Sequence, residues 1–143
     1  MKHLRNLLGI TLFAVVLASC GSTKEADPMA LLTSKNWQLQ SINGTAVESS
    51  QFGKGLPNAT FSADNKIMGN GGCNTYSGSY NLNDEMGLNV SQVISTKMAC
   101  DAMATETAYF DALNKANMVK IDPDKLILMD GVEEILVFVP KAE

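Results

Sequence analysis

Three cysteines and one histidine are the residues of this chain with the widest chemical repertoire, and their placement removes most of that repertoire. The histidine is His3, inside an N-terminal segment that reads as a cleaved export signal. The chain left after cleavage therefore has none, which excludes Ser-His-Asp and Cys-His nucleophiles, H-E-x-x-H metal sites and every other histidine-dependent zinc centre. Cys73 and Cys100 lie far apart, and neither belongs to a C-x-x-C pair, so thioredoxin-like redox chemistry has no motif. Gly69-Asn70-Gly71-Gly72 is not followed by the Lys-Ser/Thr pair of a phosphate loop. Asp122, Asp124 and Asp130 are interrupted by Lys125 and lack the ligand order of a calcium loop; they read as solvated turn carboxylates. No metal or cofactor is expected. A pair of carboxylates hydrolysing a glycoside needs no histidine, so a carboxylate-dependent envelope hydrolase stays open as the alternative, although nothing marks such a pair.

Cys20 has a different setting. Lys2 and Arg5 open the chain, the run from Leu7 to Leu17 has Thr11 as its one hydrogen-bonding side chain, and small residues follow, the layout of a cleaved secretory signal. Those eleven residues are too few to cross a bilayer, which takes about 20. The closing Leu17-Ala18-Ser19-Cys20 resembles the lipobox of bacterial lipoproteins, which implies residues 1–19 as signal peptide and Cys20 as the acylated first residue of the mature chain. The competing reading is a plain signal cut near Ala18. Each long acyl chain contributes on the order of 10 kcal/mol at ~0.8 kcal/mol per methylene, so two or more anchor a protein to the membrane without help from its body. By resemblance to the sorting rules of bacterial lipoproteins, Gly21 after the cysteine is not an Asp-type retention residue, which implies the outer membrane, and residues 20–31 read as a flexible tether. Cleavage removes 19 residues, Lys2 and Arg5 among them, leaving 124 residues with nine basic side chains against 15 acidic, a formal balance of −6. That is one domain, expected as a monomer, and too acidic for a nucleic-acid partner.

The elements that must position the remaining residues are mostly strands. Tyr76, Gly78, Tyr80 and Leu82 alternate with Thr75, Ser77, Ser79 and Asn81, a period of two that makes a half-buried strand. Further strands are expected at Trp37 to Ile42, Ala59 to Ala63, Lys66 to Gly69, Leu88 to Val93, Met118 to Ile121, Leu126 to Met129 and Ile135 to Val139. Asp64-Asn65 and Asp130-Gly131 suit tight hairpins, and Pro123 sits in a polar turn. One helix is expected from about Ala102 to Ala116. Asp101 would cap it, Met103, Phe110 and Leu113 would form its buried stripe with Tyr109, Ala112 and Ala116 alongside, and Asp111 and Lys115 would lie outside.

Several blocks occur in a telling order: Trp37-Gln38-Leu39 before Ile42-Asn43-Gly44, Phe61 and Asp64 before Gly69, Gly72-Cys73-Asn74 with Tyr76, Gly78 and Tyr80, and Thr96 through Met98-Ala99-Cys100. Together they resemble the META domain (HslJ-like) family over roughly Leu32 to Val139, with residues 32–143 as the domain. The resemblance implies a mainly β, α+β fold: a small antiparallel, lipocalin-like β-barrel with one helix packed across it. It also implies a noncatalytic binding or interaction module of the bacterial cell envelope, linked to heat shock and stress tolerance. The motif glycines read as sites of strand bending or close packing, and Asn74 as a tie for turn backbone groups or, in the alternative, a ligand contact. Once Cys20 is acylated, two cysteines remain in an oxidising compartment, so a Cys73–Cys100 disulfide is expected; two buried reduced thiols are the alternative. Any small ligand would be apolar and enter the barrel interior, unless that interior is filled by its own side chains.

Overall fold

The computed structural model describes residues 27–142. Cys20, the signal segment with His3, and the first part of the tether lie outside the described residues.

The chain begins with a short helix, α1 (Pro28–Thr33), followed by strands β1 (Asn36–Ile42), β2 (Thr45–Ala46), β3 (Asn58–Ser62), β4 (Lys66–Asn70), β5 (Thr75–Leu82) and β6 (Leu88–Ser95). Helix α2 (Met103–Lys115) then leads to β7 (Met118–Asp122), β8 (Lys125–Asp130) and β9 (Glu133–Pro140). The sheet order is β6-β5-β4-β3-β1-β9-β8-β7, with β2 paired to β1 and every pairing antiparallel. The expected hairpins form where the sequence permits a positive φ: Asn65 at 62° joins β3 to β4, and Gly131 at 59° joins β8 to β9. The sheet curls until its two edges touch. Leu88 N donates to Asn117 O at 3.0 Å and Val119 N to Met86 O at 2.9 Å, while the rest of the two edges stays unpaired among the described residues. The result is a half-barrel with α2 packed across it.

Alternation along the strands fills the concave side. Trp37, Leu39, Phe61, Ile67, Leu126, Leu128, Leu136 and Phe138 are buried there, together with Tyr109 and Leu113 from α2. A bulge between Leu39 and Ser41 keeps Ile42 on the same side as Trp37 and Leu39.

Two expectations about the helices need correction. Part of the segment read as a tether is α1, which Asp27 caps by accepting a hydrogen bond from Met29 N at 3.0 Å, with Pro28 opening the first turn. Its end is held by core contacts: Leu32 is fully buried, and its carbonyl accepts from Trp37 Nε1 at 2.9 Å. In α2 the N-cap is Ala102 rather than Asp101, and it makes no side-chain capping bond. The helix is also rotated from the expected stripe. Glu106, Tyr109, Ala112 and Leu113 face inward, while Met103 is 52% exposed and Phe110 half-buried. The physical reason lies in what Glu106 meets.

Candidate functional site

Between β4 and β5 the chain makes a tight loop from Asn70 to Asn74. Asn70 Oδ1 accepts from Gly72 N at 2.6 Å, Gly71 N donates to Asn74 O at 2.8 Å, and Gly72 O accepts from Lys54 N at 2.7 Å. Two of its glycines are required by space. Gly72 has φ +108°, and a Cβ there would overlap the Phe52 ring; a Cβ on Gly71 would stand 2.6 Å from Phe110 Cζ and 2.8 Å from Glu106 Oε1. The absent side chains thus let α2 and the segment around Phe52 rest directly on loop backbone.

Asn74 and Glu106 join that loop to the helix. Both are buried, at 4% and 6% exposure. Glu106 Oε1 accepts from Cys73 N at 3.1 Å and Asn74 N at 2.6 Å, and Oε2 accepts from Asn74 Nδ2 at 2.6 Å. Three N–H donors on one carboxylate make a charge-assisted set, stronger than neutral hydrogen bonds. The other half of the Asn74 amide faces the opposite way. Its Oδ1 accepts from Thr96 Oγ1 and from Met98 N, each at 2.8 Å. One asparagine therefore fixes three segments: its own loop, the first turns of α2 and the crossing from β6 to α2.

The Cys73–Cys100 disulfide adds a covalent tie at the same place, with Cα atoms 6.2 Å apart across 27 residues. For a closed loop of that size the chain-entropy contribution is about 3–4 kcal/mol. The bridge expected from cysteine arithmetic is present.

Below this knot the phenols interlock. Tyr76 Oη donates to Asn58 O at 3.1 Å and lies 2.7 Å from Tyr109 Oη, which leaves Tyr109 as the donor between the two. Burial pushes both hydroxyls up in pKa, Tyr109 well above the ordinary phenol range. Gly69 allows β4 to lie against Asn58 O, and a Cβ on Gly78 would come 2.9 Å from Ser91 O.

The structure thus gathers Gly72, Cys73, Asn74, Thr96, Met98 and Cys100 at one end of the half-barrel, with Tyr76 beneath them. Trp37 and Tyr80 do not join them: Trp37 belongs to the core next to α1, and Tyr80 Oη donates to Ser62 O at 2.8 Å toward the other end. Asp130 accepts from Asn117 Nδ2 at 2.7 Å, while Asp122 and Asp124 are exposed in or beside the β7–β8 turn. Glu106 was not singled out from sequence. The available signal was a carboxylate on the apolar helical stripe, three residues before Tyr109 and seven before Leu113.

Over this end runs an open groove of about 350 Å³, with Met98, Met103 and half-buried Phe110 as its apolar walls and Thr96 and Lys97 on its rim. The META domain family model matches residues 30–143, which takes in the whole described fold beyond the first turn of α1. The chain belongs to the META domain family. Solved structures place the META domain fold here among known ones. An NMR structure of a Burkholderia xenovorans protein shares 29% identity and a TM-score of 0.61, covering 80% of this chain and 87% of its own. A DUF4847 family protein from Bacteroides vulgatus ATCC 8482, solved by crystallography, shares 18% identity and a TM-score of 0.57 over 79% of this chain and 96% of its own. A further NMR structure gives 23% identity and a TM-score of 0.61 over 78% and 93%. No curated protein matches the sequence.

Proposed function

We propose that this META domain protein is a noncatalytic binding or interaction module, held at the bacterial cell envelope, on the outer membrane, through a lipid on Cys20. One observation carries the binding half of this reading. The polar groups at the motif end are committed to each other: both Glu106 oxygens are occupied by N–H donors, and Asn74 spends its amide on Glu106, Thr96 and Met98. Such groups hold a surface in shape and are poorly placed to move protons. What they hold is the Thr96–Cys100 segment with its exposed methionine. A carboxylate-pair hydrolase would need two facing acids about 5–9.5 Å apart, and Glu106 is the one carboxylate lining the groove.

The anchoring half rests on the lipobox-like Leu17-Ala18-Ser19-Cys20 and the apolar segment before it. For the ligand, the concave side favours a surface over an interior site, since Trp37, Tyr109, Phe61 and Phe138 already fill the half-barrel. Support of stress tolerance is the physiological form of this reading, checked by survival of a deletion strain after heat. Detergent partitioning of wild type against Cys20→Ala tests the anchor: the variant is expected in the soluble fraction, and equal retention with the membrane overturns it. Native mass spectrometry of protein taken from its own envelope tests the ligand: a bound lipid of defined mass would move the site back into the interior.

A further inference from the structure

We infer that the outer edge of β6 at Val93–Ser95, with the groove beside it, docks an extended acidic segment of a partner protein as an added strand. The inference rests on the binding-module reading above and gives it a surface and a partner chemistry.

The first support is an open edge. β6 ends the sheet order and pairs with β5; its first residue, Leu88, bonds to Asn117 just before β7, and beyond that point no strand covers its outer side among the described residues. Thr96 N donates inward to Thr75 O at 3.1 Å, so by alternation the N–H and C=O of Ser95 face outward. Gln92, with φ 54°, bends the strand at a register shift and separates this short regular stretch from the part that meets β7. Unpaired edge groups of this kind are what an extended peptide recognises.

The second is apolar exposure concentrated at the same place. Ile94 is 71% exposed and stands in one cross-strand row with Ser77 and Met68, itself exposed. The groove of Met98, Met103 and Phe110 adjoins it through Ser95 and Thr96. Flexible thioethers suit side chains of varied shape.

The third is charge. Lys97 is exposed on the groove rim, and Lys54 is exposed beside it with Nζ 3.5 Å from Met98 Sδ. Asp101 is the exposed acid nearby, in the cleft that Lys54 also lines. Two lysines on an otherwise acidic chain select an acidic segment. They also disfavour a second copy, because edge-to-edge β6 pairing would bring like lysines toward one another.

The fourth is where the chain enters. Asp27 and Pro28 lie with Asp84, Met86 and Pro123, at the end of the sheet where β5 finishes, whereas Ser95 lies where β5 starts. Eight strand residues separate those ends by about 26 Å. From Cys20 to Asp27 the chain reaches at most about 25 Å. A lipid on Cys20 therefore joins the molecule to the bilayer from the α1 end, opposite the β6 edge at Ser95.

The test is fluorescence anisotropy of a labelled extended peptide of alternating threonine and valine ending in two aspartates, titrated with the full protein in detergent. Saturable binding is expected, weakened roughly tenfold by Ser95→Pro, which removes an outward N–H, and roughly threefold by Lys97→Glu. A peptide ending in two lysines should recover the second loss. Met103→Asp, on the helix surface, serves if Ser95→Pro lowers the melting temperature, and should also weaken binding. No saturable binding, or binding indifferent to Ser95→Pro and Met103→Asp in folded protein, overturns the inference. A dimer that Ser95→Pro dissociates would give the edge to a second copy and equally overturn it. Because peptide binding is read in detergent, failure of the Cys20 anchor in the partitioning experiment leaves this result separately readable.

Discussion

The two ends of the half-barrel are closed by different physics. At the α1 end, Leu32 and Trp37 sit fully buried, and the polar tie between them is a single indole N–H to a carbonyl. At the motif end, a carboxylate, an amide, a hydroxyl and a disulfide converge on loop backbone. Apolar burial is strong but non-directional and tolerates small shifts. Directed bonds and a covalent bridge fix one loop geometry. Burial at the α1 end thus stabilises the fold without fixing a surface, whereas the motif end both stabilises it and holds a surface in register.

The largest expected effect that would break this division comes from the apolar end. Trp37→Ala should cost about 3–5 kcal/mol in urea unfolding, the usual range for emptying a buried aromatic site. Its hydrogen-exchange signature should be global; protection lost only around α1 would mean that the two ends unfold separately. Next is the disulfide. Replacing Cys73 and Cys100 by alanine should cost about 3–4 kcal/mol, and combining that change with Trp37→Ala should be additive to within about 0.5 kcal/mol, since the sites share no partner. Strong coupling would refute the independence of the ends. Glu106→Gln should cost about 1–3 kcal/mol, because one acceptor oxygen becomes a donor facing Asn74 Nδ2. Combined with Thr96→Val it should be non-additive, as both act through Asn74; an additive cycle would deny Asn74 its linking role.

The smallest effect is the response to alkali. Tyr76 and Tyr109 have hydroxyl pKa values raised by burial, so above the ordinary phenol value the unfolded chain releases protons that the folded chain retains. Their contribution is complete below about pH 10 and is lost as pH rises beyond it, because the unfolded state then binds fewer protons. Urea unfolding from pH 8 to 11.5 should show stability falling above pH 10, with a shallower fall in Tyr76→Phe. An identical slope in that variant would remove Tyr76 from the account.

Much of the sheet was legible because half-buried strands announce themselves by alternation. Tyr76 and Tyr80 are buried while Thr75, Ser77 and Asn81 are exposed, as the period of two requires. The turns at Asn65 and Gly131 were legible for an equally local reason, the residue types that accept positive φ. The errors arose where a tertiary partner decides. Asp27-Pro28 carries a helix-start signal, but six residues make a helix only because Leu32 is buried in the core. Helix α2 is turned from the expected stripe, which holds at Tyr109, Ala112 and Leu113 but not at Met103, which is exposed while Glu106 is buried. A carboxylate is buried when donors await it, and those donors come from a loop 33 residues earlier in the chain. Asn74 could be picked out as a polar side chain among glycines; its pairing with Glu106 across the fold could not.

The sheet order has a consequence for how the molecule is made. Strands β1 and β3 to β6 form one continuous antiparallel run, β7 to β9 form another, and the long seam between the runs is the pairing of β1 with β9. A chain emerging N-terminus first, from a ribosome or a membrane pore, exposes the β1 edge through the synthesis or transit of nearly a hundred residues before its partner arrives. Completion is therefore a late, non-local event, of the kind that slows folding and leaves an edge available for mispairing. The last strand acts as the fastener of the whole architecture, so truncations at the C-terminus should be far more damaging to assembly than their length suggests.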